Sequence, residues 1–155
     1  MRVILLRHAK SAWDDATLDD HDRPLNDRGR RAAPLIGAWL RDRPPLPDRI
    51  LVSTAARAVE TWEGLRLPGV PELRADLYLA EPDAILAALP GEGCTLVIGH
   101  NDGLRAAALA LCERPPARPD AARFPTAACL VLEFDGAPRW GGGRVVDFVV
   151  PRDLA

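Results

Sequence analysis

The stretch Val3-Ile4-Leu5-Leu6-Arg7-His8 sets the reading of this chain: an unbroken apolar run that stops at a cation and an imidazole. A half-exposed strand alternates apolar and polar residues, whereas a strand buried on both faces, as in a parallel sheet, does not. The run therefore predicts a buried first strand ending at Arg7-His8. The signature recurs in Arg49-Ile50-Leu51-Val52, and in Thr95-Leu96-Val97-Ile98-Gly99, which ends at His100.

Helical spacing fills the intervals. Asn26-Asp27-Arg28-Gly29 offers an N-cap, and Ala32, Leu35, Ile36, Trp39 and Leu40 then recur at helical intervals until Pro44-Pro45, predicting a helix over 27–42. Ser53-Thr54 can cap a second helix with Ala55, Ala58, Val59, Trp62 and Leu65 on its apolar side. Pro82 can open a helix through Leu89, and Asp102 to Leu111 reads as another. Leu73 to Leu79 reads as a strand running into a loop. Ala127 to Phe134 and Arg144 to Val150 read as late, antiparallel edge strands. Strands alternating with helices predict an α/β fold, one domain over 1–155 with a mostly parallel sheet.

The bulk properties narrow the function. A length of 155 residues, 48% hydrophobic and 27% charged, suits a single globular core. With 20 basic against 22 acidic side chains, no overall positive field draws the chain to nucleic acid. The apolar run before Arg7 is too short for a signal-peptide core or a membrane span, so a cytoplasmic protein without membrane attachment is expected. Cys94, Cys112 and Cys129 are widely spaced and lie in apolar segments, which predicts buried free thiols rather than disulfides or a metal site.

The chemistry lies at the strand ends. In open α/β sheets, ligands bind beyond the carboxyl ends of the strands. Those ends carry Arg7-His8 and His100, and Arg57 falls in the first turn of the helix after the second strand. Two guanidiniums and two imidazoles suit a phosphoryl group: guanidiniums grip its oxygens as forks, and a second, protonated imidazole would add charge. A neutral imidazole is already a nucleophile near neutral pH, so His8 needs orientation rather than a separate base. Singly, each of these residues has an ordinary structural role; their joint placement is what points to catalysis. Asp14, Asp15, Asp19, Asp20, His21 and Asp22 lack EF-hand spacing and read as a solvated acidic loop beside the pocket. Neither a metal nor an organic cofactor is expected.

Three segments, in order along the chain, resemble the motifs of the histidine phosphatase, or phosphoglycerate mutase-like, superfamily. Leu6-Arg7-His8-Ala9-Lys10-Ser11 is similar to its Arg-His-Gly motif, Val52 to Thr61 to its Ser-Pro-x-x-Arg-Ala-x-x-Thr segment, and Val97-Ile98-Gly99-His100-Asn101 to its second histidine motif. The short chain, Asp22 to Gly29 and Pro125-Thr126-Ala127-Ala128 most resemble the SixA-type phosphohistidine phosphatases. The resemblance implies a three-layer α/β/α sandwich in which His8 is phosphorylated and Arg7, Arg57 and His100 hold the phosphoryl oxygens. It also gives Ser11 a place in lining the phosphate pocket. Ala9 stands where the motif has glycine and Thr54 where it has proline, small changes that should leave the pocket backbone intact.

A third departure concerns substrate. Ester-cleaving relatives place an acidic residue just after the third strand, where Leu77-Tyr78-Leu79 puts Leu79. An alkoxide leaving group needs a proton, whereas an imidazole needs much less help. This favours phosphohistidine or another phosphoramidate, and together with the SixA-type resemblance the expected substrate is a phosphohistidine-bearing protein. Glu81 or Asp83 could supply an acid through a loop shift. A broad-specificity phosphomonoesterase acting on small phosphate esters, and a non-catalytic phosphoprotein-binding module, are the rival readings. The loops 14–24 and 113–125 set the pocket's breadth, and periodicity does not determine them.

Overall fold

The computed structural model describes residues 1–155. Six strands, β1 (Arg2–Arg7), β2 (Arg49–Ser53), β3 (Glu72–Arg74), β4 (Cys94–Gly99), β5 (Cys129–Glu133) and β6 (Arg144–Val149), form one sheet in the order β3-β2-β4-β1-β5-β6. Pairings among β3, β2, β4 and β1 are parallel; β5 and β6 join antiparallel. The helices are α1 (Asp27–Arg41), α2 (Ala56–Leu65), α3 (Pro82–Ala88), α4 (Gly103–Leu111) and α5 (Pro119–Arg123).

The unbroken apolar runs are explained by two cores, one on each side of the sheet. Along β1, Ile4 and Leu6 point into a core with Ile36 and Leu40 of α1 and Ala58, Trp62 and Leu65 of α2. Val3 and Leu5 point into the other, with Ile85 of α3 and Leu104, Ala108 and Leu111 of α4. The result is the expected α/β/α sandwich. Residues 3–6 are all essentially inaccessible, each worth about 1.5–3 kcal/mol of burial.

The helix starts follow the sequence in part. Asn26 caps α1 as expected, its side chain accepting from Gly29 N. The N-cap of α2, however, is Ala55, with no side-chain cap from Ser53 or Thr54. Both hydroxyls face histidines instead: Ser53 Oγ lies 2.7 Å from His100 Nε2 and Thr54 Oγ1 2.8 Å from His21 Nε2. The last two strands are antiparallel as expected, but of the two only β6 is an edge; β5 lies between β1 and β6. The short helix α5 was not foreseen, since its five residues are too few to show a period.

One close approach seats the start of α1 on the loop that follows β1. A Cβ added at Gly29 would lie 2.2 Å from the Lys10 carbonyl oxygen, which already accepts from Asn26 N. Gly29→Ala must push helix and loop apart, and we expect it to cost about 1–3 kcal/mol in urea unfolding. An unchanged midpoint would show that this contact is slack.

Candidate active site

Strand register assembles the site. Arg7 pairs with Gly99 across β1 and β4, so His8 and His100, the next residues on adjacent parallel strands, emerge side by side with ring centroids 5.1 Å apart. His8 N donates to Gly99 O at 3.1 Å, and His8 O accepts from Ala127 N at 3.1 Å. His8, Arg57 and His100 are 6%, 5% and 3% exposed. The structure thus brings together three of the expected residues, with Arg7 at the adjoining position.

The hydrogen bonds define one face of His8. Nδ1 lies 2.7 Å from Ala9 O, which can only accept, and Arg57 Nε, which can only donate, lies 3.3 Å from Nε2. Both contacts fit a neutral ring with its proton on Nδ1 and a lone pair on Nε2. Burial, reinforced by the charges of Arg57 and Arg7, pushes the His8 imidazole down to about 4.

His100 departs from expectation. Burial, followed by the neighbouring His8 and Arg57, pushes it down to about 3, so the second imidazole is neutral near pH 7 rather than protonated. Its Nδ1 is buried without a partner, as is Arg7 Nε. Ser53 Oγ accepts from Ala55 N at 3.3 Å, which leaves its own proton free to be donated to His100 Nε2. That arrangement puts the remaining ring proton on Nδ1.

Residues beyond the expected set complete the pocket. Thr61, one helical turn after Arg57, is fully buried; its Oγ1 accepts from Ala9 N at 2.9 Å and donates to Arg57 O at 2.6 Å. It ties the loop after His8 to the helix carrying Arg57. Asp20 overturns the picture of a wholly solvated acidic loop. Arg57 Nη1 donates to its backbone oxygen at 2.6 Å, and Nη2 to Oδ2 at 2.9 Å. Tyr78 Oη donates to the same Oδ2 at 2.5 Å. The Tyr78 hydroxyl, with Arg57 beside it, holds the Asp20 carboxyl below the usual carboxylate range. The pocket is therefore less free of negative charge than the strand ends alone implied.

Other expected residues lie elsewhere. Ser11 is buried and its backbone bridges Leu25 at the base of the loop, with no hydrogen bond from its side chain to His8, Arg7, Arg57 or His100. Leu79, with φ 51° and 53% exposure, points away, and this turn brings Tyr78 to the pocket instead. Glu81 and Asp83 are exposed at the start of α3 and bond to no pocket residue. The three cysteines are buried free thiols. No group of histidine, cysteine and carboxylate side chains has the arrangement to hold a metal ion, and no helix is long and apolar enough to cross a membrane.

The depressed histidines predict a pH-dependent stability. Unfolded, each titrates near 6.5; folded, near 4 and 3. Below pH 6.5 the unfolded chain binds protons that the folded protein refuses, so stability present above that pH is lost as pH falls, on the order of 2 kcal/mol per histidine by pH 5. Urea unfolding at neutral pH and at about pH 5 should show this loss, and His8→Asn should lose less. Equal losses in both proteins would contradict it.

At the carboxyl end of β1 in an α/β/α sandwich, a bare imidazole nitrogen faces a guanidinium from the first turn of α2, an arrangement suited to phosphoryl transfer through histidine. A profile of the histidine phosphatase superfamily (branch 1) matches residues 3–84. The chain belongs to that superfamily and is a phosphatase. It is 36% identical over 161 residues to an uncharacterized protein of Mycobacterium tuberculosis, covering 95% of this chain and all of that one. It is 35% identical over 128 residues to the phosphohistidine phosphatase SixA of Escherichia coli, covering 75% of this chain and 78% of SixA. The solved structure of the protein histidine phosphatase SixA complexed with tungstate superimposes with a TM-score of 0.79 at 26% identity, covering the whole of both chains.

Proposed function

We propose that this phosphatase hydrolyses phosphohistidine borne on a protein, through a covalent phospho-His8 intermediate. The observation that carries the substrate class is the pocket's single hydrogen-bonded carboxylate. Asp20 is held ionised by Tyr78 and Arg57 and has no proton to give an alkoxide. Tyr78 is a poor acid for that task, because burial and the Asp20 charge raise its pKa. A phosphoramidate needs no such donor when its imidazole is protonated on the free nitrogen.

In the first step the Nε2 lone pair of His8 attacks phosphorus, the substrate P–N bond breaks, and the imidazole leaves as a neutral base. Ala9 O keeps the Nδ1 proton in place and orients the ring. Arg57, Arg7 and the Nδ1–H of His100 hold the phosphoryl oxygens, so the unpartnered Arg7 Nε and His100 Nδ1 gain acceptors. A phosphoryl group on Arg57 competes with Asp20 for that fork. In the second step water attacks phosphorus, the bond to Nε2 breaks, phosphate leaves, and the water proton passes to phosphate or solvent. Positioning and charge supply the acceleration. Similarity to SixA, a phosphohistidine phosphatase by name, supports the same substrate.

The test compares kcat/KM, with chelator present, for a phosphohistidine-bearing protein, p-nitrophenyl phosphate and several sugar phosphates. Preference for phosphohistidine by roughly 10²-fold or more is expected, the scale of a missing general acid. Robust ester hydrolysis with no phosphohistidine activity would contradict the reading and favour the small-ester alternative.

A further inference from the structure

One cavity of the molecule lies apart from His8. It encloses about 440 Å³ between the loop after β1, the exposed face of α1, the segment around α5 and the residues after β6. Its cations are Lys10, Arg28, Arg31, Arg123 and Arg152, against the Asp120 side chain and the carboxylate of Ala155. Asp120 is already neutralised, with Arg118 at 2.9 Å and Arg152 at 2.8 Å. Lys10, Arg28, Arg31 and Arg123 have no carboxylate within 4.0 Å, although the chain as a whole carries a net charge of -2. Four unpaired cations around one concavity raise a positive potential within it.

The cavity also adjoins the catalytic loop. Lys10 follows His8 by two residues, at most about 7 Å of chain. Thr126, on the opposite wall, precedes Ala127, whose N–H is shared by Arg7 O and His8 O. Leu35 and Pro125 give the walls an apolar component. A concave site of this kind takes a projecting segment rather than a flat anionic surface.

We propose that this cavity docks an acidic, carboxylate-bearing segment of the phosphohistidine protein, next to the residue being hydrolysed. The proposal rests on the substrate class argued above. His8 is buried, so the substrate imidazole must enter a crevice while its surroundings meet the rim, and the free cations of that rim complement carboxylates. Such contacts act on encounter and affinity rather than on the chemical step.

Two readouts separate the surface from the substrate. The first is fluorescence anisotropy of an unphosphorylated peptide bearing a run of glutamates, against the same peptide with glutamines. The wild type should bind the glutamate peptide about tenfold more tightly, the difference should shrink with salt, and Arg28→Glu with Arg31→Glu should erase it. The milder pair Arg28→Gln with Arg31→Gln should reduce it partway. The second readout is kcat/KM on the same peptides carrying phosphohistidine. It should follow the same order through KM, while hydrolysis of phosphoramidate itself is unchanged by the substitutions. Equal binding of the two peptides, or a preference that survives charge reversal, overturns the docking surface. Acidic binding that is lost on charge reversal, with neither phosphopeptide hydrolysed, supports the surface and sinks the substrate reading instead.

Discussion

His8→Ala is expected to lower kcat by at least about 10⁴-fold while leaving the protein folded, because the mutation removes the atom that attacks phosphorus. Retention of the fold is expected because the His8 backbone bonds to Gly99 and Ala127 do not involve the side chain. Substrate binding should largely survive, since Arg7, Arg57 and His100 remain. The check is turnover under saturating substrate together with the urea midpoint. Activity within tenfold of the wild type in a folded variant would mean that phosphoryl transfer does not pass through His8.

Arg57→Ala should lower kcat/KM by about 10²–10³-fold, the usual scale for removing one positioned donor from a transition-state oxygen. Its Nε faces the His8 lone pair at 3.3 Å, so the guanidinium lies where phosphoryl oxygens must arrive. Arg57→Lys should recover little, because a point ammonium cannot form the planar fork. The alanine variant should also loosen Asp20, which loses its partners on Nη1 and Nη2 and keeps the bond from Tyr78. Full activity in Arg57→Lys would show that charge alone suffices.

Strand-end residues were legible in the sequence because position in a parallel sheet follows from the apolar runs. Once β1 and β4 lie side by side in register, Arg7 opposite Gly99, the placement of His8 next to His100 follows. Helix α1 was legible through Asn26 and the spacing of its core residues, within one residue at its end. Asp20 was not, because an irregular loop has no period and its path is set by what it can pair with, here Arg57. The side chain turned toward the pocket at 77–79 was also out of reach: Leu79 adopts a positive φ that its residue type does not signal, and so Tyr78 faces His100. Thr61 stands in the matched motif segment, so its presence was visible, though its bond to Ala9 N required the fold. The neutrality of His100 depends on how completely packing strips water from it, a property of the assembled core.

The two motif departures have structural outcomes. Ala9 is fully buried and uses its N–H on Thr61, so its methyl group is accommodated in the core. Thr54 supplies the hydroxyl that meets His21, a contact proline cannot make, and so helps hold the Asp20 loop over Arg57.

The most direct measurement is to mix the enzyme rapidly with a ³²P-labelled phosphohistidine protein, quench in alkaline denaturant to preserve phosphoramidate bonds, and map the label on the enzyme. The account predicts label on His8, formed and discharged at rates compatible with turnover and absent from His8→Ala. Turnover with no labelled enzyme, or label on His100 or His21 instead, would contradict it.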